Sequence, residues 1–196
     1  FLPKNAKEAW EKNIPKIWTG ETVWPESAIK ALRYMGKTDL IQKVNFDVNS
    51  KKGKIIGNIS YIDKEDLDSA LKIMSKTYKK SPKYINPYYK ITNHPDNTNK
   101  VGIATVCSLT IDGILVNNGI LSTPKYGGLI EVGNPPLFVE MISYNGSSID
   151  PHKIFIFKNM TNVDMKKIGS QNVLASIKEV PYITRDKSKE ILSKID

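Results

Sequence analysis

The chain has 196 residues, 40% of them hydrophobic and 25% charged, with a formal net charge of +9 and a single cysteine. Such a balance is globular rather than disordered and long enough for a core that needs no disulfide staples. One cysteine excludes an intrachain disulfide framework and any multi-cysteine metal site, which fits a reducing, cytoplasmic setting, and no apolar run approaches the roughly 18 residues of a membrane span. The chain opens at Phe1 with no signal-peptide pattern, as expected of a piece of a longer soluble protein.

Lysine supplies nearly all the positive charge, because the only arginines are Arg33 and Arg185. Base readout favours the bidentate arginine fork, and the lysines are spread along the sequence. A solvated lysine surface is therefore favoured over a DNA-contacting face, while the electrostatic footprint leaves the second open.

Residues 1–43 hold all three tryptophans, Trp10, Trp18 and Trp24. Pro25 opens and Gly36 closes an expected short helix there, with Ile29, Leu32 and Met35 as its apolar stripe. This segment is expected to be a packing or dimer-contact arm, separate from a domain over 44–196. In that domain Val44, Phe46 and Val48 alternate, Asn49–Gly53 supply a turn, and Lys54–Tyr61 completes an expected hairpin. Asp63 is the expected N-cap of a helix over Lys64–Lys79, whose buried stripe is Leu67, Leu71, Met74 and Tyr78. Pro82, Pro87 and Pro95 mark residues 80–100 as loop, with an edge strand near Tyr88–Ile91.

The stretch from Val101 to Gly133 organises the rest. Asp112-Gly113 between two β-branched runs predicts a type I′ hairpin with arms Ile103–Ile111 and Ile114–Ile120. Strands follow at Leu129–Val132, Leu137–Tyr144 and Lys153–Phe157, with a turn at Asn145-Gly146. A short helix over Asn162–Ile168, a strand over Val173–Glu179 and a closing helix over Asp186–Ile195 complete the chain. This order predicts an α+β fold: a largely antiparallel sheet with helices packed on one face and a long central β-hairpin.

Cys107 with His94 or His152 is the minimal set for a small thiol or acyl-transfer enzyme, but neither histidine sits in a nucleophile–base motif. Free cysteine is more often a small buried hydrophobe. The two histidines lack metal-ligand spacing, and neither Asn118-Gly119 nor Gly127-Gly128 forms a phosphate loop. No catalytic residue, metal or cofactor is therefore expected. Thr105, Cys107, Ser108 and Thr110 in the first arm, and Ser122, Thr123 and Lys125 ahead of Gly127-Gly128, are the donor types of a small-anion pocket. By period two, Thr105 and Cys107 share one strand face and Ser108 and Thr110 the other. The same residues read equally as β-formers bonding across a sheet.

Several segments together, TVCSLTIDGILVNNGI, PKYGGLIEV, SYNGSSIDPHKIFI, NMTNV and LASIKEVPYITRD, resemble the regulatory domain of the NrpR family over roughly Val44 to Asp196. Those proteins are archaeal repressors of nitrogen-assimilation genes that join a winged helix-turn-helix to one or two copies of this domain. The resemblance implies that 2-oxoglutarate binds as effector and weakens DNA binding. It also implies a homodimer, and operator contact through a winged helix outside this fragment. The effector residues it implies are Thr105, Cys107, Ser108 and Thr110, closed by Lys125, Tyr126, Gly127 and Gly128. Lys125 would supply charge and the hydroxyls and glycine amides would hold carboxylate oxygens. Several positions depart from the family pattern, among them Ile177-Lys178-Glu179-Val180-Pro181 where the family has Phe-Arg-Glu-Ile-Pro. Tyr126 stands for phenylalanine, His152 for leucine, and Lys178 for an arginine, which removes a bidentate donor. The alternative function is a structural dimerisation module without effector.

Overall fold

The computed structural model describes residues 36–145, 147, 149–161 and 172–195, and the chain divides into units 1–37 and 38–196. The tryptophans, the helix opened at Pro25 as far as Met35, Gly146 of the expected turn and the expected helix at Asn162–Ile168 lie outside the described residues, while Gly36, the expected helix stop, is itself helical. The second unit contains two three-stranded antiparallel sheets with helices, an α+β fold. No helix among the described residues is long and apolar enough to cross a membrane.

The first sheet consists of β1 (Gly57–Asp63), β2 (Tyr89–Asn93) and β3 (Lys100–Val106), with β3 in the middle. Val101 and Ile103, the most apolar positions of β3, are buried, as a central strand requires. β2 is the expected edge strand. β1 pairs with β3 from Gly57↔Val106 to Asp63↔Lys100, and not with the Val44–Val48 segment as the sequence suggests. That segment keeps the Asp47–Lys52 bridge and the Asn45 N–H to Lys54 O bond at 3.2 Å, and places Val44 and Val48 in the core. The expected hairpin thus shrinks to a short ladder beside its turn, because burying two valines stabilises more than extending a short exposed ladder. After β1, one turn of 3₁₀ helix (Lys64–Asp66) leads into α1 (Leu67–Lys80), continuous with the helix expected there.

The central hairpin is not formed. Residues Leu109–Asn117 are a helix, α2, with Asp112-Gly113 in its middle. Its stop signal is Asn118-Gly119. Gly119 has φ 76, its N–H donates to Val116 O at 2.9 Å, and the Ile120 N–H donates to Leu115 O at 2.9 Å. This is a Schellman ending, in which a left-handed glycine closes the helix and the next apolar residue folds back. Ile120 and Leu115 duly share the core cluster with Val44, Val48, Ile114 and Ile191. Tertiary burial of Ile114 and Leu115 on a helical face outweighs the hairpin preference of Asp-Gly.

The second sheet consists of β4 (Thr123–Glu131), β5 (Leu137–Ser143) and β6 (Asn172–Glu179), with β4 central. Where Lys153–Phe157 suggests a strand, the chain forms a helix, α3 (Pro151–Phe157). Asp150 caps it by accepting from the His152 N–H at 3.0 Å, and Pro151 occupies the first turn, where its missing N–H does no harm. Gly127 and Gly128 are where β4 is approached most closely. A Cβ on Gly127 would stand 2.7 Å from Pro151 Cβ, and one on Gly128 2.7 Å from the Glu140 carbonyl and 3.0 Å from the Phe138 ring. Gly127→Ala and Gly128→Ala are each expected to lower stability by about 1–3 kcal/mol through overpacking, visible as a lower urea midpoint at unchanged slope. The last helix, α4 (Arg185–Ser193), buries Ile191 in the same core as α2.

Candidate functional site

The polar groups of the domain collect at one end of the second sheet. β4 begins there, β6 ends there, and Tyr144 follows directly on β5, while β3 delivers the chain through Cys107 into α2. The Cys107 N–H donates to Ile56 O at 2.9 Å, which fixes that corner. Along β6, Lys178 falls on the same face as Leu174 and Ser176 by period two, and it reaches α2. There its ammonium pairs with the Asp112 carboxylate, and the Ser122 hydroxyl donates to the other Asp112 oxygen at 2.6 Å. Asp112 is 1% exposed and Lys178 15%. A carboxylate so deeply placed is tolerable only when cation and hydroxyl satisfy it.

Tyr144 belongs to the same end. Burial, and then the negative charges of Asp150, Asp112 and Cys107, push its phenol well above the ordinary tyrosine range, so the folded protein keeps it neutral. The tyrosine of the unfolded chain ionises near the ordinary value of about 10, so the unfolded state holds fewer protons above that pH and stability falls as pH rises further. Tyr144→Phe is expected to flatten this alkaline loss between about pH 10 and 12, measured by denaturant unfolding across the range. His152 is close by, its ring 6.4 Å from that of Tyr144 and its Nε2 2.7 Å from the Ala175 carbonyl oxygen.

The eight residues expected at the effector site are distributed differently from a hairpin wall. Thr105, next to last in β3, is half-buried and lines a cavity. Cys107 is half-buried at the corner, and Ser108 is exposed at the N-cap of α2 with no side-chain cap bond. The period-two faces assigned to Cys107, Ser108 and Thr110 do not apply, since the strand ends at Val106. Thr110 is buried, and its hydroxyl bridges the Ile56 backbone, accepting from the N–H at 3.0 Å and donating to the oxygen at 3.1 Å. Lys125 forms an exposed ion pair with Glu179 at 2.6 Å, and Tyr126 beside it is partly exposed. Gly127 and Gly128 lie within β4, where they admit α3 and Phe138. The groups that the sequence suggests less directly are Asp112, Tyr144 and Lys178. Asp112 has the form of a turn residue, and its signal is a lone acid within an otherwise apolar helix.

A cavity of about 650 Å³ lies elsewhere, between α1, β2 and β3 on one side and α3 and β6 on the other. Leu71, Met74, Tyr78, Thr105, Ile156 and Leu174 line it, and none of its described lining residues is charged. Such a wall suits an uncharged ligand rather than a dianion. The His94 ring lies 4.4 Å from that of Tyr61 in a tilted contact and His152 bonds Ala175; among the described residues no histidine bonds Cys107. No group of three or more His, Cys, Asp or Glu among the described residues is placed to hold a metal ion.

Two antiparallel sheets, a buried carboxylate–lysine pair and a corner helix define an α+β domain with a charged junction. The chain belongs to the family of NrpR regulatory domains NRD1 and 2, whose model matches residues 36–196. It is 36% identical over 155 residues to the global nitrogen regulator NrpR of Methanocaldococcus jannaschii, covering 79% of this chain and 26% of that protein. It is 33% identical over 162 residues to the global nitrogen regulator NrpRI of Methanosarcina mazei, covering 79% and 50%. The chain therefore spans at most about half the length of these relatives. The crystal structure of a nitrogen repressor-like protein from Methanococcus jannaschii superposes with a TM-score of 0.68 at 32% identity, covering 83% of this chain and 69% of that one.

Proposed function

We propose that this chain is the effector-sensing part of a cytoplasmic repressor of nitrogen-assimilation genes. In this reading it binds 2-oxoglutarate and thereby loosens DNA binding by a winged helix-turn-helix elsewhere in the protein. The observation that supports the reading most is that Lys178 and Ser122 already hold one carboxylate, that of Asp112, at the end of the second sheet. An ammonium has three donors, and Asp112 takes one of them. A second carboxylate entering beside Lys178 would find the remaining donors, with Cys107 and Ser108 at the start of α2, whose dipole favours negative charge. Lys125 stands nearer solvent as the cation for the far carboxylate. Its pairing with Glu179 is exposed and so worth about 0–1 kcal/mol, weak enough to exchange for a ligand. Thr110, Gly127 and Gly128 support the site from behind by holding α2, α3 and β5 in place.

Control follows from linkage: an effector that binds one arrangement of a dimer better shifts the population toward it by its difference in affinity. A homodimer would find an apolar surface in Phe138 and Met141 of β5 with Tyr126 of β4, which share one face of the sheet and are all exposed. The test is ligand-induced thermal stabilisation by 2-oxoglutarate. Lys125→Gln is expected to weaken binding about tenfold, about 1.4 kcal/mol, without changing the melting temperature of the ligand-free protein. Lys178→Arg, which restores the fork of the family pattern, is expected to bind at least as tightly as the parent. Equal affinity in Lys125→Gln and parent contradicts the placement of the ligand.

One observation favours a second reading, a dimerisation scaffold that binds no effector. Both cations of the junction, Lys125 and Lys178, already have acidic partners in the chain itself. A dimer that shows no stabilisation by 2-oxoglutarate selects this reading.

A further inference from the structure

Helix α1 carries its lysines on one side. Lys72, Lys76, Lys79 and Lys80 stand at i, i+4, i+7 and i+8 and are all exposed. At 1.5 Å per residue they form a stripe about 12 Å long, and exposed Lys83 continues it past the helix end. The opposite side of the helix, with Leu71, Met74 and Tyr78, faces the cavity. The lysines that look scattered in sequence are therefore gathered by the fold.

Among the described residues none of these five has an acidic partner, and the acids of the segment, Glu65, Asp66 and Asp68, sit at the N-terminal end. Four lysines elsewhere do have acidic partners, in Lys194–Glu190 at 2.7 Å, Lys43–Asp39 at 2.6 Å and the two junction pairs. Like charges four apart on a helix repel, so a stripe of this kind works against the helix that carries it. The helix dipole favours Lys79 and Lys80 in the last turn but not Lys72 and Lys76, which lie before it. The stripe is thus a concentrated positive face without acidic partners among the described residues.

We infer that the lysine face of α1 is a sequence-independent contact for the phosphate backbone of duplex DNA. The choice of DNA rests on the repressor reading above. The chemistry of the face agrees with it: lysine is a compact point charge suited to phosphates, and the arginine forks that read base edges are absent from the stripe. Duplex DNA presents one charge per about 1.7 Å, so a 12 Å stripe faces several phosphates at once. The face steadies a complex whose register is set by the recognition module.

The experiment is fluorescence polarisation of a labelled random-sequence duplex with this chain, between about 50 and 200 mM salt. The variant Lys72→Gln, Lys76→Gln, Lys79→Gln, Lys80→Gln is compared with a control of equal charge change, Lys52→Gln, Lys54→Gln, Lys90→Gln, Lys153→Gln, all at exposed positions. The α1 variant is expected to lower the slope of log affinity against log salt by about three to four, and the control by less than one. Circular dichroism of both establishes that they remain folded. Equal losses in the two variants mean that only net charge matters, and overturn the inference. So does parent protein that ignores the duplex, or one that binds polyglutamate with the same lysine dependence, which assigns the face to an acidic protein. Failure of 2-oxoglutarate to bind leaves this result unaffected, so the two readings fail separately.

Discussion

Lys178→Met is expected to lower the unfolding free energy by about 3–5 kcal/mol, the loss that follows when one partner of a buried ion pair is removed. The cause is not the missing attraction alone. Asp112, 1% exposed, would keep a charge with only the Ser122 hydroxyl to satisfy it. Asp112→Leu combined with Lys178→Met removes both charges and is expected to recover most of the loss, because a well-packed apolar replacement of a buried pair is often neutral or better. Urea unfolding of the two single variants and the double variant measures the coupling directly. A double variant as unstable as the sum of the singles would show that the pair contributes nothing as a pair.

Gly113→Ala is expected to destabilise the domain by about 1–3 kcal/mol, although alanine in a helix interior is ordinarily better than glycine by about 1 kcal/mol. The added Cβ would collide with the Val44 side chain and stand 2.9 Å from the Ile41 carbonyl oxygen. Val44 is 2% exposed and belongs to the main core cluster, so it has little room to retreat. Thermal unfolding distinguishes the outcomes by sign: a higher melting temperature would mean that Val44 and the Ile41 carbonyl do not pack against Gly113 as described.

These two residues also explain what could and could not be read in the sequence. Elements with a clean period were legible: the stripe of α1, the alternation of β6 and the closing helix α4 all lie within a few residues of their expected bounds. Asp112-Gly113 was not legible as helix, because its local signal, the I′ turn, is strong and its actual roles are tertiary. Asp112 is there for Lys178, distant in sequence, and Gly113 for the approach of Val44. The true punctuation, Gly119 as a left-handed helix stop, has the same dipeptide form as a hairpin turn. Asp150-Pro151 similarly announces a helix start that outweighs the β-like run Ile154–Phe157. At the candidate site the residue types were legible and their assembly was not. Lys178 stands out as a departure from the family pattern, yet its partner on α2 appears only when β6 and α2 are brought together by the fold.

The central claim is that the junction of α2, β4 and β6 serves as an effector site. Its most direct test is isothermal titration of this chain with 2-oxoglutarate, with glutamate as control, since the two differ in the ketone and in the added ammonium. The account predicts saturable binding of 2-oxoglutarate, no comparable heat from glutamate, and weakened binding in Lys125→Gln. A folded protein that gives no heat with 2-oxoglutarate, or that takes glutamate equally well, would contradict it.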